Sequence, residues 1–455
     1  MTLIKQNASE NRRRALRLQC KVQNYDWGLK GSQSEVGRLY ALQSNELLDE
    51  ETPYAELWIG THGSGPSYVL LPGDINDDYS NNCTDVRAQP FGIMLLKDWL
   101  CKNPYALGEK VVRRWGTDLP FLFKVLSVSK ALSIQAHPDK KLAKQLHQLQ
   151  PNIYKDANHK PEMALAISSF EALCGFVSPQ EMKCVIEDVP ELHSLLGESV
   201  AKVLISIALC HLNKEVAKVA LRAAFTAIMA ASEDEIKAVL YQIIFRLLNE
   251  RQERTLSKKE QLVLRLAEQY PGDVGVLSAF FLNYVRLSPG EALYLDANEP
   301  HAYIAGECVE CMATSDNVVR AGLTTKYRDT QTLCAMLSYK QGRPQVLSGV
   351  PVYPYTKRYS PPFEEFEVDA SIVPTGHSLS LPANCGPSVL LVLEGCGTMY
   401  QVFGSNKHVT EVKRGDTYFI PAGIKLDIVS DSGGNPEVDA LHLYRAGVNS
   451  DIFST

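Results

Sequence analysis

The chain lacks the long apolar run that a membrane-spanning helix requires. None of the uninterrupted apolar stretches in its 455 residues approaches the roughly 20 residues that cross a bilayer. Its first residues are polar, and no apolar stretch follows the arginine-rich segment 11–17, which argues against a secretory signal. Glu10, beside that segment, also argues against an organelle-targeting peptide. We therefore expect a cytoplasmic protein that has no membrane partner.

Strong net charge is also absent. Lysine and arginine number 46 against 52 aspartates and glutamates, so the formal net charge is −6 and the isoelectric point is about 6.0. Because surfaces that bind nucleic acids are usually basic, this balance favours a protein without a nucleic-acid partner. The length exceeds that of one ordinary hydrophobic core and predicts roughly two to four domains.

The cysteines show no disulfide framework. Eleven of them, an odd number, are scattered along the chain, which is typical of reduced thiols in the cytosol. Cys308 and Cys311 form the only CxxC pair. That pair has no second pair for a structural zinc site and no strand-to-helix context for a redox motif. We therefore interpret both residues as small buried apolar side chains.

Short apolar runs and frequent turns, which are typical of β structure, dominate residues 16–177. The clearest predicted strands are residues 22–28, 66–73 and 121–126. Strand patterns return after residue 273 and continue through the last hundred or so residues. Between these later β regions, the proline-rich stretch 351–362 is predicted to be a linker.

Residues 178–270 have the signature of a helical domain. Capping boxes of the form Ser-x-x-Glu begin at Ser178, Ser232 and Ser257. Apolar residues recur with i, i+3, i+4, i+7 spacing after the second box, which predicts a helix with one buried face. The helical pattern closes at the proline-glycine turn 271–272.

Three short runs place metal-binding side chains in predicted β structure. The run SIQAHP carries Gln135 and His137, which point to one face of a strand because they are two residues apart. The runs NHKPEM and EPHAY add Glu162 and His301. Each residue alone could be an ordinary structural polar group. Together, two imidazole nitrogens and two side-chain oxygens suit a divalent ion such as zinc, with room left for water or substrate.

An internal repeat links this region to the C-terminal part of the chain. Gly290 and Gly415 each precede an acidic residue and a short apolar strand. Eleven residues after each glycine stand His301 and Leu426 respectively. The spacing resembles the second signature of cupin barrels, which hold metal on inward-pointing strand residues. On this interpretation a second, C-terminal barrel has lost its ligand.

Basic residues accompany the three runs, namely Lys124, Lys140, Lys160, Arg320 and Lys326. Cations grouped near a metal in an acidic protein indicate an anionic substrate, because arginine offers a bidentate fork and lysine a point charge. The alternative is a solvated charged face.

Three further residues on the His301 side, Tyr303, Glu310 and Asp316, could act as acid or base if they are partly buried beside a metal. The alternative for each is a hydrogen-bonded structural role.

Taken together, these runs resemble the type I mannose-6-phosphate isomerase (phosphomannose isomerase) family. The matching stretches span nearly the whole chain: NYDWG (24–28), AELWIGTH (55–62), QAHPDK (135–140), YKDANHKPE (154–162), FEALCGF (170–176), EPHAY (299–303), ECMA (310–313), SDN (315–317) and RAGLT (320–324). The resemblance implies a mainly β fold with two cupin-like jelly-roll barrels and an inserted α-helical domain. Residues 1–177 and 271–345 would form the catalytic barrel, 178–270 the helical insertion, and 346–455 a C-terminal barrel without metal.

The resemblance also implies the site. One zinc ion per chain would be held by Gln135, His137, Glu162 and His301. The implied catalytic residues are Arg320, Lys160, Glu310, His159 and Asp316. The implied substrate-binding residues are Lys124, Ser133, Lys140 and Tyr303.

The implied reaction interconverts mannose 6-phosphate and fructose 6-phosphate by enediol proton transfer, feeding GDP-mannose synthesis and mannose catabolism. The partner is a small sugar phosphate, and a monomer is expected. Several roles stay open. Zinc is either a Lewis acid or an organiser of the site. Arg320 either stabilises the enediolate or grips phosphate, the base is Lys160 or Glu310, and His159 and Asp316 assist ring opening.

Two rival functions are compatible with a cupin barrel. One is a sugar-binding or regulatory protein without catalysis, against which the complete ligand set and Arg320 argue. The other is an iron oxygenase, which usually has a denser His-x-His motif than the Gln-x-His found here.

Overall fold

A computed structural model describes residues 14–71, 92–210, 214–403, 406–431 and 440–454. The start of the arginine-rich segment and the last two residues of the predicted strand 66–73 lie outside the described residues. Strands dominate the described chain and one block of helices interrupts them, which confirms the predicted fold class. The chain divides into a first unit, Met1–Ser127, Val309–Thr314 and Leu347–Thr455, and a second unit, Val128–Cys308 and Ser315–Val346.

The first unit contains a nine-stranded and a four-stranded antiparallel sheet. In order across the larger sheet, the strands are Val350–Tyr353, Thr356–Tyr359, Glu367–Pro374, Ala440–Gly447, Ser388–Glu394, Thr417–Ile420, Leu16–Gln19, Tyr68–Leu71 and Gly92–Leu95. Those of the smaller sheet are Ser378–Leu381, Leu426–Ser430, Cys396–Phe403 and Asn406–Lys413. Side chains from both sheets share one apolar core, as in a jelly-roll barrel.

The remaining elements of the first unit are short. Its other strands are Lys21–Gln23, Leu29–Lys30, Pro53–Tyr54, Glu56–Ile59, Phe121–Val128 up to Ser127, and the last part of His301–Ala313. Its helices are Glu35–Ser44, Leu96–Lys102 and Glu109–Trp115, with 3-10 turns at Gly31–Gln33, Pro104–Leu107 and Ser450–Phe453.

The second unit combines a sheet with the helical block. Its strands are Ile134–Ala136, Glu162–Ala166, Phe170–Phe176, Leu282–Leu287, Ala292–Leu295, the first part of His301–Ala313, and Val319–Gly322, and the short strand Val346–Leu347 begins in it. Its helices are Lys140–Leu149, Pro179–Asp188, Pro190–Leu196, Glu198–Cys210, Lys214–Ala230, Glu233–Glu250, Lys258–Gln269, Val274–Ser278 and Thr330–Met336. One large apolar core joins the helices to the sheet.

The three predicted capping boxes start helices in the structure. The hydroxyls of Ser178, Ser232 and Ser257 each accept from the main-chain N–H three residues later, and the glutamate side chain there accepts from the serine N–H. These starts were predictable because capping depends only on neighbouring residues; such caps each contribute roughly 1 kcal/mol.

The described part of residues 16–177 contains four α-helices where the sequence predicted only strands and turns. They are Glu35–Ser44, Leu96–Lys102, Glu109–Trp115 and Lys140–Leu149. Two have side-chain caps, from Ser34 and Asp139, and the other two have none. Helices of seven to ten residues present too few turns for a helical apolar period to stand out against strand patterns.

The predicted strand 22–28 is largely a turn. The strand Lys21–Gln23 ends early, and the chain then turns so that the N–H of Gly28 donates to the carbonyl of Tyr25 at 3.0 Å. A Cβ atom on Gly28 would lie 2.7 Å from the Ala55 Cα atom, so the close approach requires glycine.

The predicted linker 351–362 also begins with regular structure. Val350–Tyr353 pairs with Thr356–Tyr359 as a hairpin at the edge of the nine-stranded sheet. An edge strand tolerates proline because one row of its N–H groups needs no partner strand, and this explains why Pro351 misled the prediction.

The internal repeat has a structural counterpart. Gly290 and Gly415 both adopt left-handed φ angles, 84° and 88°, in turns that precede a strand. His301 and Leu426 are each the first residue of the following strand. Leu426 is buried among the apolar side chains of the C-terminal sheets, so at this position the second copy contributes to a core rather than offering a metal ligand.

Among the described residues, no single helix is long and apolar enough to cross a membrane; the helices Pro190–Leu196 and Glu198–Leu209 pass that test only as a pair, which is bent by 114°.

Candidate metal centre

A three-stranded arrangement in the second unit sets the position of the candidate site. The strand Ile134–Ala136 pairs on one side with His301–Ala313 and on the other with Val319–Gly322. In this register Gln135 lies opposite His301 and also opposite Arg320. Side chains of directly opposed residues lie on one face of a sheet. Main-chain hydrogen bonding therefore brings these three side chains to a common face.

His137, Glu162 and His301 form a buried cluster whose ligand atoms all lie within 4.8 Å of one another. The Nε2 atom of His137 is 3.4 Å from Oε1 of Glu162, and the Nε2 atom of His301 is 3.3 Å from Oε2. All three side chains are at most 2% exposed. Three of the four predicted ligands thus converge. The fourth, Gln135, is half-buried, and its Oε1 atom accepts a hydrogen bond from the Ser133 hydroxyl at 3.5 Å.

Main-chain carbonyls fix the tautomer of both histidines. The Nδ1 atom of His137 is 2.7 Å from the carbonyl oxygen of Asn317, and that of His301 is 3.0 Å from the carbonyl of Glu299. Because a carbonyl can only accept, Nδ1 carries the proton in each ring. Each Nε2 atom then presents a lone pair to Glu162, which is how histidine is prepared for a metal.

The charges agree with this arrangement. Burial lowers the pKa of His137 to about 4, so its imidazole is neutral at physiological pH. For Glu162, burial by itself raises the pKa, but the nearby positive charge of Lys160 opposes this effect, and the pKa is held well below its ordinary value. A neutral ring and an anionic carboxylate are the protonation states in which these groups bind a divalent cation.

The donor set fits such a cation. Both Nε2 atoms are buried and have no hydrogen-bond partner, which is costly for an imidazole nitrogen. Two lone pairs aimed at one carboxylate repel it unless positive charge lies between them. The ligand atoms of the three side chains also lie within 4.8 Å of one another, which is close enough for one ion to contact all of them.

Lys160 lies beside this cluster. Its Nζ atom is 3.0 Å from Oε1 of Glu162, and its side chain is 12% exposed. Lys160 and Glu162 are two residues apart, so in an extended segment both side chains face the same side, and their direct contact agrees with this. A cation that touches a metal ligand and reaches solvent is well placed to meet a bound anion.

Asp156 connects the loops around the cluster. Its carboxylate accepts four hydrogen bonds: from the Asn158 N–H at 2.9 Å, the Ser315 hydroxyl at 2.9 Å, the Asp316 N–H at 2.7 Å and the Asn317 amide at 3.3 Å. One loop leads to Lys160 and Glu162, and the other carries the carbonyl that orients His137. Asp156 thus holds two ligand-bearing segments together.

Lys124 and Glu310 meet in the first unit. The Lys124 Nζ atom is 3.0 Å from Glu310 and 3.2 Å from Glu56, and it lies 4.9 Å from the centre of the Trp58 ring. The indole N–H of Trp58 donates to Glu56 at 2.6 Å. The two carboxylates and the ammonium are all less than 10% exposed. Burial of three charges together requires this close pairing.

The other implied site residues belong to the second unit. Tyr303 is buried, with its ring edge-on to Phe170, and it lies two residues after His301 on the same strand. His159 is half-buried next to Lys160. Lys140, an exposed residue, begins the helix Lys140–Leu149, and Asp316 is exposed on its loop.

Sequence reasoning missed Asp156, Asn317 and Glu56 as contributors to these two clusters. All three lie within the stretches that resemble the isomerase family. No spacing signal identifies them, because their partners are distant in sequence: Asp156 and Asn317 are 161 residues apart. Only the folded chain reveals such pairings.

Comparison with known proteins gives a consistent result. Residues 15–178 match the family model described as phosphomannose isomerase type I, catalytic domain, and residues 195–282 match its helical insertion domain. The chain is 53% identical to mannose-6-phosphate isomerase 2 of Arabidopsis thaliana, covering 96% of this chain and 95% of that protein. It is 39% identical to the mannose-6-phosphate isomerase of Homo sapiens, covering 91% and 95% respectively.

Solved structures resemble the chain as well. A mannose 6-phosphate isomerase bound with zinc and yttrium superposes with a TM-score of 0.75 at 26% identity, covering 96% of this chain and 99% of that one. An arginine-to-alanine variant of phosphomannose isomerase from Salmonella typhimurium gives a TM-score of 0.74 with the same identity and coverage.

The convergence of ligands predicts that His137→Ala and His301→Ala each lose bound metal, because removing one imidazole leaves an incomplete site. Wild-type protein should contain about one zinc ion per chain by elemental analysis. His193→Ala, in the helical block, is the matched control and should keep its metal. Full metal content in a His137→Ala, His301→Ala double variant would place the ion elsewhere.

The network around Asp156 predicts that Asp156→Asn weakens zinc binding by about 10- to 100-fold, as loss of partners that orient metal ligands typically does. The amide cannot accept all four hydrogen bonds, so the loop that orients His137 loosens. A competitive chelator titration measures the change, with the exposed Asp188→Asn as control. An unchanged zinc dissociation constant would show that the network does not support the site.

Proposed function

Because this chain belongs to the type I phosphomannose isomerase family, we propose that it interconverts mannose 6-phosphate and fructose 6-phosphate. The observation that carries the proposal is the buried cluster of His137, Glu162 and His301, whose two unpartnered Nε2 atoms fit a zinc ion. The retained ligand set argues against a binding protein that has lost catalysis. Gln135, paired opposite His301, is the proposed fourth ligand.

The chemistry is the transfer of a proton between C1 and C2 of the open-chain sugar. Removal of the C2 proton of the aldose gives an enediolate, and return of a proton to C1 gives the ketose. The developing oxyanion needs fixed positive charge, preferably in a site from which water is excluded. When bound, zinc supplies Lewis acidity and positive charge at this place.

Arg320 is the proposed partner of the developing negative charge. Its register opposite Gln135 directs the guanidinium to the face that carries the proposed ligands. A planar guanidinium can donate two parallel hydrogen bonds to the two oxygens of an enediolate. The competing role is binding of the substrate phosphate, to which the guanidinium can donate the same pair of hydrogen bonds.

Lys160 is the proposed group that moves the proton. Its contact with Glu162 holds the amine beside the proposed metal site, and its partial exposure opens it to substrate. Glu310 is the alternative base. His159 and Asp316 are proposed to assist ring opening, and Lys124, Ser133, Lys140 and Tyr303 to bind substrate.

We also propose the domain organisation and the cellular role that the family resemblance implies. Residues 1–177 and 271–345 would form the catalytic cupin barrel, 178–270 the helical insertion, and 346–455 a C-terminal barrel without metal. The enzyme would act as a cytoplasmic monomer that supplies GDP-mannose synthesis and mannose catabolism.

A coupled assay of the purified chain tests the proposed function directly. Fructose 6-phosphate formed from mannose 6-phosphate is measured in untreated, chelator-treated and zinc-restored samples. Activity that disappears with chelator and returns with zinc is the expected result. Binding of mannose 6-phosphate without turnover in the zinc-restored protein would instead indicate a sugar-binding protein.

Arg320→Lys should fold and retain zinc but lose most of its turnover, by about 100-fold or more, because an ammonium cannot reproduce the planar fork. The measurements are kcat, KM and zinc content. The exposed Arg328→Lys serves as control and should behave as wild type. Near-normal kcat in Arg320→Lys would remove the guanidinium from the reaction.

Lys160→Met separates two roles for this amine. If Lys160 moves the proton, turnover should fall by about 1000-fold, whereas a sugar-phosphate inhibitor should still bind with an affinity close to that of wild type. The exposed Lys155→Met is the control. A parallel, steep loss of inhibitor affinity and turnover would assign Lys160 to phosphate binding and refute the proton-transfer role.

A further inference from the structure

Lys259 stands out among the lysines of the helical block. It is the second residue of the helix Lys258–Gln269, and its amine donates to the carbonyl of Leu282 at 2.8 Å and to that of Phe280 at 3.4 Å. No carboxylate in the described part of the chain lies within 4 Å of this amine. Its surroundings thus supply hydrogen-bond acceptors but no counter-charge in contact.

This environment suits a neutral amine. An uncharged –NH₂ group has two N–H bonds, which the two carbonyls can accept, and one lone pair that remains available. Burial lowers the pKa of Lys259 to about 8, although Glu181 opposes the shift. At pH 7 about one Lys259 amine in ten would be neutral, against roughly one in 2500 for a lysine with the ordinary pKa of 10.4.

Lys259 is also one of the residues that line a cavity of about 620 Å³, a volume typical of small-molecule sites. Three more cations line it: Lys258, Arg286 and Arg343. The guanidinium of Arg286 lies 3.1 Å from a carboxylate oxygen of Glu171, a residue that does not line the cavity. The carboxylate of the wall, Glu181, already accepts hydrogen bonds from the main chain and hydroxyl of Ser178. The wall therefore carries an excess of positive charge.

We propose that this cavity binds a small phosphorylated aldehyde, with the phosphate on the cationic wall and the carbonyl carbon at the Lys259 amine. The cations favour an anionic ligand, and a nucleophilic amine favours a carbonyl group on that ligand. The inference involves none of the residues of the metal centre, so it stands independently of the proposed isomerase function.

The chemistry is imine formation. The lone pair of Lys259 adds to the carbonyl carbon, and the resulting carbinolamine loses water. A C=N double bond replaces the C=O double bond, and the oxygen departs as water with the two protons of the amine. The step requires no oxidant, reductant or metal, and it reverses by hydrolysis.

Reductive trapping tests the proposal. The full-length protein is incubated at pH 7 with glyceraldehyde 3-phosphate and cyanoborohydride, and modified lysines are mapped by peptide mass spectrometry. A parallel sample receives glyceraldehyde, which has the same aldehyde without the phosphate. Lys258, adjacent and exposed, is the internal control. With the phosphorylated aldehyde, Lys259 should be modified about tenfold more than Lys258. With glyceraldehyde, this excess should be absent.

A variant distinguishes phosphate binding by the cationic side chains of the cavity from the intrinsic reactivity of the Lys259 amine. Arg343 is exposed, so Arg343→Met removes one cation without disturbing the core. It should reduce trapping of the phosphorylated aldehyde at Lys259 several-fold and leave trapping of glyceraldehyde unchanged, whereas the control Arg328→Met should change neither. Modification of Lys259 no greater than that of Lys258, or equal trapping of the two aldehydes, would overturn the proposal.

Discussion

The carboxylate of Glu162 is the charge on which the candidate site depends. It is 2% exposed, and an isolated carboxylate in such a place would cost several kcal/mol of desolvation. On one side, the ammonium of Lys160 balances the negative charge of this carboxylate. On the other side stand two imidazole nitrogens whose protons are committed elsewhere, to main-chain carbonyls. A cation among the three groups would give both unpartnered lone pairs an acceptor and attract the carboxylate, which is why the geometry indicates a metal site.

The histidines can be aimed at Glu162 only because the backbone holds them. His301 begins a strand, and His137 directly follows the strand paired with it. The carbonyl that orients His137 belongs to a loop that Asp156 ties to the segment preceding Glu162. The same register also places Arg320 opposite Gln135. The groups proposed for metal binding and for charge stabilisation therefore lie on one hydrogen-bonded framework, and such a framework limits reorganisation during a reaction.

Rules that depend only on neighbouring residues predicted some helices and strands correctly and missed others. The capped helices after Ser178, Ser232 and Ser257 were predictable because a cap involves residues three apart. The short helices before residue 150 were missed because few turns give little periodic signal. The hairpin at Val350–Tyr353 was missed because proline is excluded from central strands but not from edges, and sequence alone does not reveal which strand is an edge.

For the site, the sequence by itself determined the chemistry of the ligands. Imidazole and carboxylate groups in β context, with Gln135 and His137 two residues apart, define a donor set for a zinc-like ion whatever the fold. Only the tertiary structure decided that Glu162 lies between the two histidines, that both rings present Nε2, and that Asp156 braces the loops. The physical reason is that side-chain type and local spacing are properties of neighbouring residues. Register, tautomer and buried charge pairing instead arise between segments that approach one another only in the folded chain.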